Sequence, residues 1–227
     1  RRSSDLDVDE KRGCYGPGYI HWGIQSNFNY LSLMATLAHT QGCSRRELRL
    51  ERAKKALRFN MDSHITGSMT GLSGKRWGST WISMLGIERG MHGIMLLRDE
   101  LNDKEKSSLK TMLVSEADWV LENAERGGHT GVFGGKWGHE GRNVPESNIW
   151  WGTLLWRMSQ IYPDEEHADD WAERAHDYII NGVSRPQDRD DQSPAAGKPV
   201  AERFQGANFF ENFALDHHGY LNVGYMF

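Results

Sequence analysis

The stretch from Asn143 to Tyr162, NVPESNIWWGTLLWRMSQIY, limits the fold more than any other part of the chain. Pro145 suits the first position of a helix, where a backbone N–H has no intrahelical partner, and Glu146 complements the positive helix end. Behind them Ile149, Trp150, Trp151, Leu154, Leu155, Trp156, Met158 and Ile161 leave hardly any polar stripe. A helix apolar on every side has to be surrounded by other helices or by lipid. Arg157, Gln160 and the polar first turn disfavour lipid, and no run of about 18 apolar residues occurs. The expectation is an inner helix of a sizeable, soluble, all-helical protein.

The same kind of helix recurs. Asn27 to Thr40 is apolar nearly all round and ends at Gly42. Ser44 and Glu47 then have capping-box spacing. They open a surface helix to about Met61, with Leu50, Ala53, Leu57 and Met61 on one face. A glycine-rich loop, ITGSMTGLSGKRWGS, leads into a second apolar helix, Thr80 to Arg98. Asn102 and Glu105 make a second box. The helix they open, to about Ala124, has Leu109, Met112, Leu113, Ala117, Val120 and Ala124 on one stripe. A third loop, RGGHTGVFGGKWGHEGR, leads into the helix from Pro145. After Pro163-Asp164 an amphipathic helix aligns Ala168, Trp171, Ala172, Ala175, Tyr178 and Ile179.

Inner helix then outer helix thus occurs three times, with about 60 residues per pair, and a fixed period of this size marks a helical-repeat architecture. Lys75-Arg76-Trp77-Gly78 and Lys136-Trp137-Gly138 occupy matching places in successive units. Such alternation describes an open solenoid or a concentric ring. The loops favour the ring, because those entering inner helices are long, glycine-rich and aromatic while those leaving them are short. The expected fold is therefore all-α, helical-hairpin repeats forming an (α/α) toroid, incomplete within residues 1–227, which make one such domain or part of one. Residues 184–206 are polar and hold three of the six prolines, so they read as a lid or a mobile insertion. The last twenty residues begin a seventh helix or a rim segment.

Composition narrows the function. Nine Trp and 25 Gly fit an aromatic-lined cleft, or large side chains filling a helical core. The net charge of −4 gives no global basic field, so no nucleic-acid partner is expected, and no membrane. Cys14 and Cys43 are the only cysteines, too few for a disulfide framework or a Cys-rich zinc site; whether they pair stays open. The N-terminus, RRSSDLDVDEKRG, lacks the apolar core of a signal peptide and reads as a processed end, compatible with a secreted or periplasmic mature protein. No phosphate-binding loop, HExxH, GxSxG or dinucleotide fingerprint occurs. No cofactor is expected and a structural metal is not indicated.

Two groups of residues could carry chemistry. Glu146, Asn148 and Trp151 open the helix at Pro145, facing a loop with Lys136, Trp137, His139 and Arg142. A helix N-terminus offers free N–H groups to a carboxylate or sulfate, Trp rings suit sugar faces, and Asn suits hydroxyl or carboxylate oxygens. The plainer alternative is that Glu146 and Asn148 only satisfy the helix start. The second group, Asn212 to Tyr225, packs Asn212, Asp216, His217, His218, Tyr220, Asn222 and Tyr225 into fourteen residues. A His there could act as base or acid and a Tyr could abstract a proton. A structural His–Asp bond, or a metal on Asp216, His217 and His218, are the alternatives. Glu88 and His92, four apart on an apolar helix, are expected as a satisfied structural pair. His21, Trp22, Gln25, Asn27 and Asn29 lead the first inner helix as weaker ligand candidates. His64 and His129, ahead of the later ones, are weaker still.

The segment PESNIWWGTLLWRMSQIYPDEEHADDWAERAHDYIINGVSRPQD resembles the heparinase II/III-like α/α-toroid proteins. Their block reads roughly A-E-E-N-A-W, an apolar helix, then F/Y-P-x-H-P-x-A-x-x-W. Glu146, Asn148, Trp150, Tyr162, Pro163, His167, Ala168 and Trp171 fill much of it. ENFALDHHGYLNVGYM resembles a later block, E-N-x-x-x-x-N-H-G-x-x-H-P-x-Y, through Glu211, Asn212, His218, Gly219 and Tyr225; His217 and Asn222 depart from it. The resemblance implies a carbon–oxygen lyase that cleaves uronic-acid polysaccharides by β-elimination, often with a further domain after the toroid. Asn148 and His218 would neutralise the uronate carboxylate, and Tyr220 or Tyr225 would serve as base and acid. Lys136, Trp137, His139, Arg142, Glu146, Trp151 and His217 would contact an anionic polysaccharide or oligosaccharide. A further domain or second chain would complete the ring. A toroid hydrolase using Glu146 with Asp216 or Glu211, and a non-catalytic carbohydrate-binding scaffold, are the alternatives.

Overall fold

Six helices stand at the six expected places: α1 (Trp22–His39), α2 (Arg46–Ser63), α3 (Ser83–Leu97), α4 (Asp103–Asn123), α5 (Pro145–Ile161) and α6 (Ala168–Gly182). They are seen in a computed structural model that describes residues 9, 11–15, 22–123, 132–133, 136–137 and 145–213. A short helix α7 (Val200–Arg203) and two antiparallel two-residue ladders accompany them. The ladders pair β1 (Val132–Phe133) with β2 (Lys136–Trp137), and β3 (Pro194–Ala195) with β4 (Lys198–Pro199). The described chain is therefore mostly helical, compatible with the all-α expectation. It divides into two compact units, Arg1–Glu116 and Ala117–Phe227, with the boundary inside α4.

Within the first unit α1 is the hub, packing against both α2 and α3, while α2 and α3 meet little. Glycines on α3 make the α1 contact close. A Cβ added at Gly90 would sit 2.3 Å from the Phe28 ring, and one at Gly93 2.5 Å from Ser32 Cα. Gly86 faces Ile24, Gln25 and Phe28, so residue numbers rise together along both helices and α1 and α3 run parallel. Asn27 instead reaches Ala56 and Asn60, and Arg52 reaches Tyr30, so α2 returns antiparallel. Arg58 with Glu105 and His64 with Glu116 set α4 parallel to α2. The core comprises Phe28, Leu31, Ala35, Ala53, Leu57, Ile87, Ile94, Met112 and Leu113, all buried. Full burial of each larger aliphatic or aromatic among them is worth about 1.5–3 kcal/mol.

The inner helices are less enclosed than their composition implies. Leu33 on α1, Met95 on α3 and Trp156 on α5 are 54%, 42% and 39% exposed. For α1 the reason is geometric: neighbours on two sides bury two faces and leave a third open. His92 is exposed and Glu88 half-buried, so these two residues lie at the surface of α3 and not in the core.

The two capping boxes fare differently. Asn102 and Glu105 form theirs reciprocally, each backbone N–H donating to the other's side chain at 3.0 Å. Ser44 does not cap α2. The helix starts at Arg46, and the residue before it, Arg45, has φ 63° and makes no side-chain cap.

In the second unit α5 and α6 pack antiparallel and close. A Cβ at Gly152 would lie 2.8 Å from Ile179, and one at Gly182 2.6 Å from Ile149. Trp151 lies edge-on to Trp119 and Tyr178, with ring centroids 5.5 and 5.7 Å away. Trp171, fully buried, donates from its indole N–H to Asp118 at 3.1 Å. Residues 184–206 are tied to the end of α6. Asn181 donates to the Arg203 carbonyl and accepts from the Gln205 N–H, and Ser184 donates to Gly206. Any movement of this segment has to break those bonds. Cys14 is buried and Cys43 half-buried, and no disulfide joins the two.

Candidate functional site

Of the residues expected at the rim, Asn148 and Trp151 fall among those whose side chains are described. Asn148, with Ser147, is fully buried in the first turn of α5, and Gly182 of α6 lies against its Cβ. Trp151 is 1% exposed between Trp119 and Tyr178, so it fills the core and presents no ring face to a sugar. Lys136 and Trp137 lie in β2, paired with Phe133 and Val132, and Glu146 lies in the first turn of α5. His139, Arg142, His217, His218, Tyr220 and Tyr225 lie outside the described residues, as do His21, His129, Asp216 and Asn222.

Two of the polar residues leading α1, Asn27 and Gln25, are structural. Asn27 accepts the Tyr15 N–H at 2.9 Å and donates to the Ala56 carbonyl and to Asn60 Oδ1, which ties three chain segments together. Gln25 is buried and accepts from Arg89 at 2.6 Å. Asn29 is exposed.

The most fully built polar arrangement lies in the loop between α2 and α3, around His64. His64 and Glu116 are both fully buried, with Nε2 and Oε1 2.8 Å apart. The other ring nitrogen, Nδ1, lies 2.8 Å from Thr66 Oγ1 and accepts the Thr66 backbone N–H at 3.2 Å. An N–H aimed at Nδ1 requires a lone pair there, so Nε2 carries the proton and donates to Glu116. The Ser79 N–H donates to the same carboxylate oxygen at 2.6 Å, while Oε2 is buried without a hydrogen-bond partner.

The backbone is shaped to this pair. Gly78 has φ +122°, and a Cβ on it would lie 2.5 Å from His64 Nε2 and 2.9 Å from Glu116 Oε1. Ile65 donates to the Trp77 carbonyl and Trp77 to that of Ser63, a short parallel bridge. The Trp77 ring stands against His64 at 4.7 Å and anchors through its indole N–H on the Asn60 carbonyl.

A surface cleft of about 560 Å³ in the second unit is lined by Glu122, His167, Asp170, Glu173, Arg174 and Lys198, among others. Arg203 and Lys198 hold the Glu173 carboxyl down at about 2. The hydrogen bond to Asp170 raises His167, and burial raises Asp118 against the pull of the Trp171 N–H. Charge in this cleft is of mixed sign and largely paired within the protein. Among the described residues no group of His, Cys, Asp and Glu is arranged to hold a metal ion. No described helix is long and apolar enough to cross a membrane.

Sequence reasoning placed His64 among the weakest candidates and missed Glu116. A signal was present, because Glu116 interrupts the apolar stripe of Leu109, Met112, Leu113, Ala117 and Val120, and a carboxylate on a buried stripe needs a partner. Comparison with protein-family models, curated proteins and solved structures finds no match to this chain.

Proposed function

We propose that the chain is part of an (α/α)-toroid polysaccharide lyase that cleaves uronic-acid glycans by β-elimination. One observation carries the reading: the segment resembling the heparinase II/III-like pattern folds as a close helical hairpin. Pro145 begins α5 and Asn148 is buried in its first turn. The chain reverses after Tyr162-Pro163, and Trp171 of α6 is fully buried. The parallel course of α1 and α3, and of α2 and α4, is compatible with the repeat of a ring or solenoid.

In this reading substrate binding uncovers the buried Asn148 side chain, and Asn148 and His218 neutralise the uronate carboxylate, which acidifies the adjacent C–H. Tyr220 or Tyr225 removes that proton and protonates the leaving glycosidic oxygen. Lys136 and Arg142 hold neighbouring anionic sugars, with Trp137, His139, Glu146 and His217 beside them. Donors placed in advance for the developing enolate supply the largest part of such catalysis. The partner is an anionic polysaccharide in a secreted or periplasmic setting, with a further domain or second chain completing the ring.

The test is incubation with a panel of uronic-acid polysaccharides, following the ultraviolet absorbance of the new double bond. Asn148→Ala and His218→Ala should each lower that signal by roughly 10²–10³, the usual cost of one lost donor. New reducing ends without absorbance would identify a hydrolase. Saturable sugar binding without turnover would identify a scaffold. Full activity in both variants would remove the residue assignment.

A further inference from the structure

We propose that Thr66, His64 and Glu116 form a hydroxyl–imidazole–carboxylate relay that makes Thr66 a nucleophile toward acyl esters, an activity separate from glycan cleavage. A nucleophilic hydroxyl needs a base within hydrogen-bond reach and a third group that orients the base and stabilises its charged form. Here the hydroxyl is 2.8 Å from His64 Nδ1, and the carboxylate is 2.8 Å from Nε2. The tautomer is the productive one: Nδ1 holds the lone pair that faces Thr66, and Nε2–H faces Glu116. Thr66 is exposed while His64 and Glu116 are fully buried, so the relay runs from a surface residue, where ester and water can arrive, to a carboxylate in the interior.

A purely structural histidine would need only the Thr66 backbone N–H and Glu116. Two further features exceed that need. Glu116 Oε2 is buried and has no hydrogen-bond partner, so the carboxylate keeps capacity to stabilise an imidazolium. Gly78 leaves room for the two groups to meet where any side chain would collide with both. The turn is also fixed in advance, because Gly67 donates to the His64 carbonyl at 2.8 Å and Met69 to that of Asp62 at 2.7 Å. Arg76 donates to the carbonyl of Ile65 at 3.4 Å, which keeps a positive charge beside the turn that carries Thr66.

The step balances without a redox partner. Thr66 Oγ1 bonds to the ester carbonyl carbon while its proton passes to His64 Nδ1. Collapse breaks the bond to the leaving oxygen, which takes that proton and departs as an alcohol or phenol. The acyl group stays on Thr66 until water, deprotonated by the same nitrogen, releases it as an acid.

The experiment treats the full chain with p-nitrophenyl acetate, follows p-nitrophenol release, and locates the acetyl group by peptide mass spectrometry. The expected result is acetyl on Thr66, release at background in Thr66→Ala, and retention in Thr66→Ser. Loss of general-base assistance typically costs 10²–10⁴-fold. Glu116→Gln keeps the carbonyl that accepts Nε2–H but cannot neutralise the imidazolium, so acylation should slow at least tenfold. Thr66→Ala changes an exposed side chain and tests the relay without risk to the core. Acetyl on lysines alone, Thr66→Ala releasing at the wild-type rate, or folded Glu116→Gln acylating Thr66 at the wild-type rate would each overturn the proposal.

Discussion

Among the described residues, the most deeply buried charged side chain of each unit is Glu116 in the first and Arg203 in the second, and the two are treated in opposite ways. In the second, Arg203 is 1% exposed at its side chain but spreads its guanidinium over two carboxylates and two carbonyls. Those carboxylates keep contact with water, Glu173 at 45% and Asp177 at 23% exposed. In the first unit, Glu116 and His64 are both at 0%, and one carboxylate oxygen accepts both donors while the other accepts none. Arg203 is thus saturated and half solvated through its partners, whereas Glu116 is dry and under-satisfied. Saturation fits a clasp that holds chain segments together. Unused capacity in a dry pair fits a group that waits for a change of charge beside it.

The largest effect should come from Glu116→Ala. It strands the buried His64 Nε2–H and the part-buried Ser79 N–H; a buried donor costs about 1–3 kcal/mol and a part-buried one less, so a loss of about 3–4 kcal/mol is expected in urea unfolding. A loss under about 1 kcal/mol would mean that water reaches the pair. Arg203→Met comes second. Removing a buried cation from its partners costs about 3–5 kcal/mol when both are dry, and the solvated carboxylates here reduce that to about 2–3 kcal/mol. If the second loss exceeds the first, burial of the partners is not what separates the two sites.

The helices of both units were legible because a 3.6-residue apolar period survives any change of neighbours. Asn102 with Glu105 was legible for the same local reason, their partners being three residues apart. Ser44 misled because the chain takes a left-handed turn at Arg45, which moves the helix start past it. The buried pairs were not legible as pairs. His64 and Glu116 are 52 residues apart, Arg203 and Glu173 30 apart, and no local pattern specifies such a meeting. Trp151 looked like a sugar platform because an aromatic on an inner helix reads the same whether it faces a cleft or the core. The rest of the expected catalytic group lies in segments outside the described residues, so its resemblance to a known pattern remains its support.

Acid separates the sites more gently. Glu173 is held at about 2 against an ordinary 4.5, first by Arg203 and then by Lys198. A depressed carboxyl contributes stability that is present above its unfolded value and is lost as pH falls through the folded one. Stability should therefore decline between about pH 4.5 and about 2, and Glu173→Gln should flatten that limb. Because Glu173 is nearly half exposed, the wild-type excess at pH 6 should be no more than about 1 kcal/mol after solvent screening. An unchanged acid limb in Glu173→Gln would show that the Arg203 clasp does not depend on this carboxylate.

The smallest effect is the most discriminating. Lys198 shares Glu173 with Arg203, yet its side chain is 52% exposed where that of Arg203 is 1%. Two cations on one carboxylate make the same formal contact and differ in solvation. An exposed pair gains about 0.2–1 kcal/mol and loses most of that to salt, because mobile ions reach both groups. Lys198→Ala should then lower stability by at most about 0.5 kcal/mol at low salt, with no measurable loss at about 0.5 M salt, where exposed charges are screened. The Arg203→Met loss should persist at both concentrations, because its hydrogen bonds to the Ala195 and Ala196 carbonyls are shielded from those ions. If Lys198→Ala instead matched Arg203→Met at both salt concentrations, charge alone would hold the 184–206 segment. The contrast between a dry pair and a solvated clasp would then lose its physical basis.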